Sequence, residues 1–331
     1  MTDDTTTARL LTGDCRAILP TLPDGSVQCC ITSPPYFGLR DYGHAAQIGL
    51  EPTPDAYVAE MVSVFREVRR VLADDGVLFL NLGDSYAGSG KGGNPDDSPH
   101  KKQRTNAGSL TVVGQTARDA ARTRGAGDDR LFGAKPKDLL GIPWRVAFAL
   151  QADGWYLRAD IIWHKPNPMP ESVTDRPTKA HEYVFLLTKS ARYFYDAAAI
   201  SEPSIHAGRV VKYDGTQKNS DAAEDPRMRT RIAKTTAVKD TRNVRSVWTI
   251  STKPYKGAHF ATMPPDLAER CILAGSRRGD TVLDPFSGSG TTAAVAVGHG
   301  RNAIGIEANA EYQRLAVERI GPMLVTVEGD A

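Results

Sequence analysis

The chain reads as α/β, a mostly parallel sheet with helices on both faces. Three observations predict this. The C-terminal third alternates strand, glycine turn, helix, strand and helix. The apolar runs are continuous, as in strands covered on both faces. A length of 331 residues with 40% hydrophobic content is enough for one large domain, or for a domain with a sizeable insertion.

In chain order, residues 9–15 (RLLTGDC) read as a short strand ending in Asp14, and residues 26–32 (SVQCCIT) as a second, introduced by the turn Pro23-Asp24-Gly25. Thr53 and Pro54 offer a helix N-cap and a favoured first position. Val58, Met61, Val62, Phe65, Val68 and Leu72 follow at helical spacing, and Asp74-Asp75-Gly76 is the expected stop. Residues 77–84 (VLFLNLGD) form a buried strand. From 87 to 135 the pattern dissolves into Gly, Ser, Asp, Lys and Arg, which predicts a long mobile loop. A helix near 143–153 follows, then strands at 155–165 (WYLRADIIWHK) and 181–190 (HEYVFLLTKS) framing a proline-rich loop. Residues 206–245 are again polar and basic and read as a small separate lobe. Pro264-Pro265 open a helix to Gly275, residues 281–284 (TVLD) are a strand, and PFSGSG turns into the helix TTAAVAV. The strand at 301–307 (RNAIGIE) and a helix from Asn309 complete half of a doubly wound nucleotide-binding sheet.

No apolar run approaches the roughly 20 residues a membrane helix needs, and the N-terminus lacks the basic and apolar regions of a signal peptide. A cytoplasmic protein without membrane association is expected. The four cysteines, Cys15, Cys29, Cys30 and Cys271, contain no CxxC pair, so neither a disulfide framework nor a metal is indicated. A net charge of +2 hides an uneven distribution: residues 87–135 hold nine Lys/Arg against five Asp/Glu, and residues 206–245 ten against five. Such segments suit a polyanion, because neutralising phosphates releases counterions. They equally suit solvated surface loops.

DPFSGSGTT is not a phosphate-binding loop, since no lysine follows its glycines, and it lacks the third glycine of a dinucleotide fingerprint. Glu307 lies 19 residues beyond Gly288, at the end of the next strand, where an acid can accept from a ribose diol. Bare glycine backbone with a ribose-binding acid suits an adenosyl cofactor without a pyrophosphate, namely S-adenosylmethionine. Ser33-Pro34-Pro35-Tyr36 ends a buried strand, where open α/β sheets place their ligands. The prolines remove two N–H donors, leaving the Ser33 hydroxyl and carbonyls such as that of Pro34 as acceptors beside an aromatic plate. Acceptors drawing on an exocyclic amine localise its lone pair and stabilise the charge that grows as it is methylated. A stiff strand-to-loop turn is the bland reading of the same four residues.

ITSPPY near the N-terminus with DPFSGSGTT near the C-terminus resembles the amino-methylating DNA methyltransferases of the beta arrangement, in which the catalytic motif precedes the cofactor motif. The likeness extends over most of the chain outside the two basic segments. It implies a Rossmann-like S-adenosylmethionine-dependent methyltransferase fold with circularly permuted motif order and a seven-stranded-type sheet. It also implies a catalytic and cofactor-binding domain over 1–205 and 246–331, with 206–245 as a target-recognition insertion. By the same resemblance, Ser33, Pro34, Pro35 and Tyr36 are the catalytic tetrad. Asp284, Phe286, Gly288, Gly290 and Thr291 surround the methionine part of the cofactor, and Glu307 holds the ribose. His259, Phe260 and Pro264 belong to a further cofactor motif, and Asp14 to a loop near the adenine. Lys165 and Asn167 are candidate DNA contacts, as are Arg227, Arg229 and Arg231 in the second basic segment. Because the sheet is closed from both ends of the chain, the terminal strands should lie side by side.

In this family a serine in first place usually accompanies cytosine N4 methylation, with adenine N6 as the alternative. Cytosine C5 chemistry needs a thiolate, normally from a Pro-Cys pair, and no cysteine here follows a proline. Methyl transfer to RNA or to protein glutamine, and a non-catalytic DNA-binding protein, are the readings from other classes. The expected partners are double-stranded DNA, with base flipping, and a separate restriction endonuclease. Either a monomer or a homodimer fits.

Overall fold

The computed structural model describes residues 6–39, 47–87, 134–135, 137–212, 235–252 and 263–328. The chain divides into two compact units, residues 1–195 with 246–331, and residues 196–245. The expected loop at 87–135 lies almost wholly outside the described residues.

In the first unit, β1 (Ala8–Thr12) leads through the short helix α1 (Cys15–Ile18) to β2 (Val27–Thr32). Helix α2 (Pro54–Val71) starts where the cap predicts, with the Thr53 hydroxyl accepting from the Ala56 amide at 3.1 Å. Its buried face carries Tyr57, Met61, Val64, Phe65, Val68 and Val71, the stripe a helix lays on a sheet. The expected stop at Asp74-Asp75-Gly76 is displaced. The helix ends at Val71 and β3 (Leu72–Leu82) begins at the next residue. The acidic turn instead bulges out of β3, whose register against β2 jumps from Val27↔Leu72 to Cys29↔Val77. Gly76 permits this, since a Cβ there would lie 2.9 Å from the Ala73 carbonyl oxygen.

Helix α3 (Ile142–Ala152) precedes β4 (Tyr156–His164) and β5 (His181–Thr188). The second unit holds β6 (Glu202–Pro203), β7 (Val210–Lys212), β8 (Thr235–Ala237) and β9 (Thr241–Arg242). These pair antiparallel, β6 with β9 and β7 with β8. The first unit resumes with β10 (Val247–Thr249), α4 (Pro265–Gly275), β11 (Thr281–Asp284) and α5 (Thr291–Gly298). It ends with β12 (Asn302–Glu307), α6 (Ala310–Ile320) and β13 (Val325–Glu328).

The main sheet runs β10-β4-β5-β3-β2-β11-β12-β1-β13. Strand β5 is antiparallel to both neighbours, and every other pairing is parallel. Seven strands form the body, and the short β10 and β13 extend its edges. Strand β1 pairs with both β12 and β13, so the two ends of the chain do meet in one sheet. Alternating residues serve opposite faces: Cys30, Leu78 and Leu80 join the cluster with α2 and α3, whereas Cys29, Val77 and Phe79 meet α4 at Gly275. All four cysteines are buried and free. Among the described residues no helix is long and apolar enough to cross a membrane.

Candidate active site

The parallel strands all direct their C-terminal ends to one edge, and antiparallel β5 brings its N-terminal end there. At that edge β2 delivers Ser33-Pro34-Pro35-Tyr36. The Tyr57 hydroxyl on α2 donates to the Pro35 carbonyl at 2.9 Å, which anchors the turn to the core. That commits one carbonyl. Among the described residues none donates to the Pro34 carbonyl, so it and Ser33 Oγ are the acceptors left for a ligand.

Tyr36 sits in a pocket shaped for it. Gly83, just past β3, has no side chain to obstruct the ring: a Cβ there would lie 2.6 Å from Cε2. Tyr36 Oη is 2.7 Å from Glu182 Oε2 on β5, 3.2 Å from Asn81 Oδ1 on β3 and 3.1 Å from Ser33 Oγ. Asn81 Nδ2 donates to Glu182 Oε2 and to the Tyr183 carbonyl, each at 3.1 Å. Lys165, one residue beyond β4, pairs with Glu182 Oε1 and lies 4.3 Å over the Trp163 ring. Burial first, and the Glu182 charge second, push the Tyr36 phenol well above its ordinary value. Tyr36 is therefore a neutral, protonated plate at any working pH.

The second half of the edge is the glycine turn. Gly288 and Gly290 take φ of 52° and 72°, the left-handed region that favours glycine. Glu307 Oε2 accepts from the Gly288 amide and Oε1 from the Asn309 amide, both at 2.8 Å. Each oxygen keeps a free lone pair, which is what a ribose diol needs, so the donor set fits an adenosyl group. Burial holds the Glu307 carboxyl above the usual carboxylate range, opposed by those amides. Gly305 on β12 lets the turn lie flat on the sheet, because a Cβ there would sit 2.6 Å from Ser287 Oγ.

A buried clamp joins the two halves. Asp284 Oδ1 accepts from Thr32 Oγ1 at 2.7 Å and from the Phe286 amide at 3.1 Å, and Oδ2 accepts from Thr292 Oγ1 at 2.7 Å. Thr32 immediately precedes Ser33, so the serine-proline turn and the glycine turn share one carboxylate. Burial pushes Asp284 up, and the two threonine hydroxyls pull it down.

Ser33, Pro34, Pro35, Tyr36, Phe286, Gly288, Gly290 and Glu307 thus gather at one edge. Others have different occupations. Asp14 caps α1 and its carboxylate grips Arg16, although the Gly13 amide on the Glu307 carbonyl, at 2.9 Å, keeps it close to Glu307. Asp284 spends both oxygens on the protein itself. Thr291 is buried with its hydroxyl on Arg319 of α6. Pro264 is buried and occupies the N-cap position of α4. Asn167 is exposed, its side-chain amide donating to the Thr252 carbonyl at 3.1 Å and accepting from the Thr252 amide at 3.0 Å. Lys165 is a half-buried partner of Glu182, not a solvated cation. His259, Phe260, Arg227, Arg229 and Arg231 lie outside the described residues. Sequence reasoning misses Asn81 and Glu182, although an asparagine inside an apolar run and a carboxylate at the head of an apolar strand are visible signals.

The family model described as DNA methylase matches residues 27–318, which take in both Ser33 and Glu307. The Type II methyltransferase M.XycI of Xanthomonas campestris pv. cyanopsidis is 46% identical over 311 residues, covering 94% of this chain and 87% of that protein. Among solved structures, the PvuII DNA methyltransferase (cytosine-N4-specific) aligns with a TM-score of 0.61 at 18% identity, over 96% of this chain and 87% of that one. A Thermus thermophilus protein complexed with S-adenosyl-L-methionine aligns with a TM-score of 0.56 at 24% identity, over 98% of this chain and 99% of that one. These two likenesses are of fold. The family match and the near full-length identity to a Type II enzyme go further, and by them the chain belongs to the family of DNA methylases.

Proposed function

We propose that the protein transfers a methyl group from S-adenosylmethionine to the N4 amino nitrogen of a cytosine flipped out of duplex DNA. The observation that carries this reading is the shared edge: two acceptors, Ser33 Oγ and the Pro34 carbonyl, stand beside the Tyr36 ring and are joined through Thr32 and Asp284 to the turn that meets Glu307. S-adenosylmethionine, when bound, supplies a methyl group activated by its sulfonium. The chain supplies the rest. Glu307 and the glycine turn hold the adenosyl part. Tyr36 stacks on the target base, a contact worth about 1–3 kcal/mol. Ser33 and Pro34 draw on the two N–H bonds of the amine, localise its lone pair and stabilise the positive charge it gains.

Cytosine C5 methylation lacks a nucleophile here. All four cysteines are buried, which pushes Cys29, Cys30 and Cys271 well up and Cys15 to about 12. Ser33 in first place favours cytosine over adenine. Residues 206–245 form the target-recognition insertion, and the Type II name of the relative favours a separate restriction endonuclease as companion.

Incubation with duplex DNA and a radiolabelled methyl donor tests the reading. Label in DNA that disappears with Ser33→Ala supports it. Label only in RNA or protein, or none, contradicts it.

A further inference from the structure

We propose that Glu182 is a positioning residue for methyl transfer: acting through Tyr36, it fixes the hydrogen-bond polarity of Ser33 so that Ser33 can only accept from the target amine. The inference rests on the reading of Ser33 as the amine's acceptor, and explains how a neutral side chain fills that role.

A serine hydroxyl has one hydrogen and two lone pairs, so by itself it can face an amine either way. With its hydrogen turned outward, it would repel the N–H bonds it is meant to draw on. A carboxylate in that place would be an acceptor by nature; serine has to be made one.

The neighbours do this in sequence. The Glu182 carboxylate is acceptor-only, with Lys165 on Oε1 and Asn81 Nδ2 on Oε2 at 3.1 Å. Tyr36 Oη, 2.7 Å from Oε2, must point its single hydrogen at it. Asn81 enforces the same direction: both Nδ2 hydrogens are spent on Glu182 and the Tyr183 carbonyl, so it turns only its Oδ1 toward Tyr36, at 3.2 Å. The Tyr36 oxygen is thereby left as an acceptor. The Ser33 hydroxyl donates to it at 3.1 Å, and with that its one hydrogen is used. Both lone pairs of Ser33 Oγ remain for the substrate. Glu182 touches neither base nor cofactor; it orients Tyr36, and Tyr36 orients Ser33. Its own placement is built for the purpose, with side-chain exposures of 16% for Glu182 and 18% for Lys165, far below those of a surface ion pair.

The test is Glu182→Gln in the full-length protein. Lys165 still demands an oxygen, so the glutamine amide turns its N–H2 toward both Tyr36 and Asn81 Nδ2, which removes the acceptor that fixes both groups and lets the chain of hydrogen bonds reverse. Single-turnover methylation of duplex DNA, at saturating cofactor and DNA, should slow about tenfold or more, while cofactor and DNA dissociation constants stay within about twofold. Tyr36→Phe keeps the ring and removes the hydroxyl, so adding Glu182→Gln to it should cost nothing further. An unchanged rate in Glu182→Gln overturns the inference, as does a loss that adds in full to that of Tyr36→Phe or appears only as weaker binding. If Glu182→Gln is too unstable to assay, Glu182→Asp keeps the charge opposite Lys165, withdraws it from Tyr36, and enters the same cycle. Ser33→Ala separates the two levels. If it leaves the wild-type rate intact, the underlying reading of Ser33 fails; if it abolishes the rate while Glu182→Gln does not, only the role of Glu182 fails.

Discussion

Gly83→Ala adds one methyl group against the ring on which the proposed chemistry depends. The new Cβ would sit 2.6 Å from Tyr36 Cε2, 2.8 Å from Cδ2 and 3.4 Å from Cζ. Carbon atoms settle at about 3.5–4.0 Å, so the ring must retreat by about 1 Å. Its hydroxyl is tethered at 2.7 Å to Glu182 and 3.1 Å to Ser33, and a retreat of that size carries it beyond hydrogen-bonding reach of at least one of them. Overpacking of this kind costs about 1–3 kcal/mol of stability, and a misplacement of about 1 Å costs about 100-fold in rate. Urea denaturation reads the first, and single-turnover methylation of duplex DNA the second. In a Tyr36→Ala background, where no ring meets the new methyl group, Gly83→Ala should cost little further stability. A Gly83→Ala enzyme that keeps its rate within about twofold would refute the reasoning, because Tyr36 could then move without consequence.

Three further outcomes are expected. Gly290 holds φ at 72° with its would-be Cβ 2.6 Å from Ala316 Cβ on α6, so Gly290→Ala should cost about 2–4 kcal/mol. Ala316→Gly in the same chain should restore part of this in denaturation, and strict additivity would rule out the contact as the cause. Burial raises Asp284, so its ionisation costs stability, and wild-type stability should fall as pH rises from the ordinary carboxylate range through the raised folded value. Asp284→Asn has no such proton to lose, and the Thr32 and Thr292 hydroxyls can turn to accept. Its stability relative to wild type should therefore climb over that window in pH-dependent denaturation, and parallel curves would contradict the assignment. Exchanging residues 206–245 for those of a relative with another target should change which sites are methylated while cofactor affinity survives; unchanged site preference refutes a recognition role.

The helix starts were legible because their signals are local. Thr53-Pro54, Pro264-Pro265 and Asn309 each stand where a helix begins, and the glycine turn between β11 and α5 was marked by its own residues. The end of α2 was not legible, because Asp74-Asp75-Gly76 carries every sign of a helix stop and yet serves as a bulge inside β3. Local composition cannot tell those two uses apart. The same limit applies to the site. Ser33 and Glu307 announced themselves by motif and position, but Glu182 and Asn81 act across strands, and only the register of β3, β5 and β4 brings them to Tyr36. Asp284 and Thr291 were legible as members of the glycine turn; that their side chains hold the turn from behind, through Thr32, Thr292 and Arg319, follows from packing alone.

The most direct measurement is the chemical identity of the product. Duplex DNA treated with the protein and S-adenosylmethionine, digested to nucleosides and analysed by mass and fragmentation, should contain N4-methylcytosine, and Ser33→Ala should abolish it. N6-methyladenine would overturn the choice of base. C5-methylcytosine, or methylation that survives the loss of Ser33, would contradict amine methylation at the Ser33-Pro34-Pro35-Tyr36 edge.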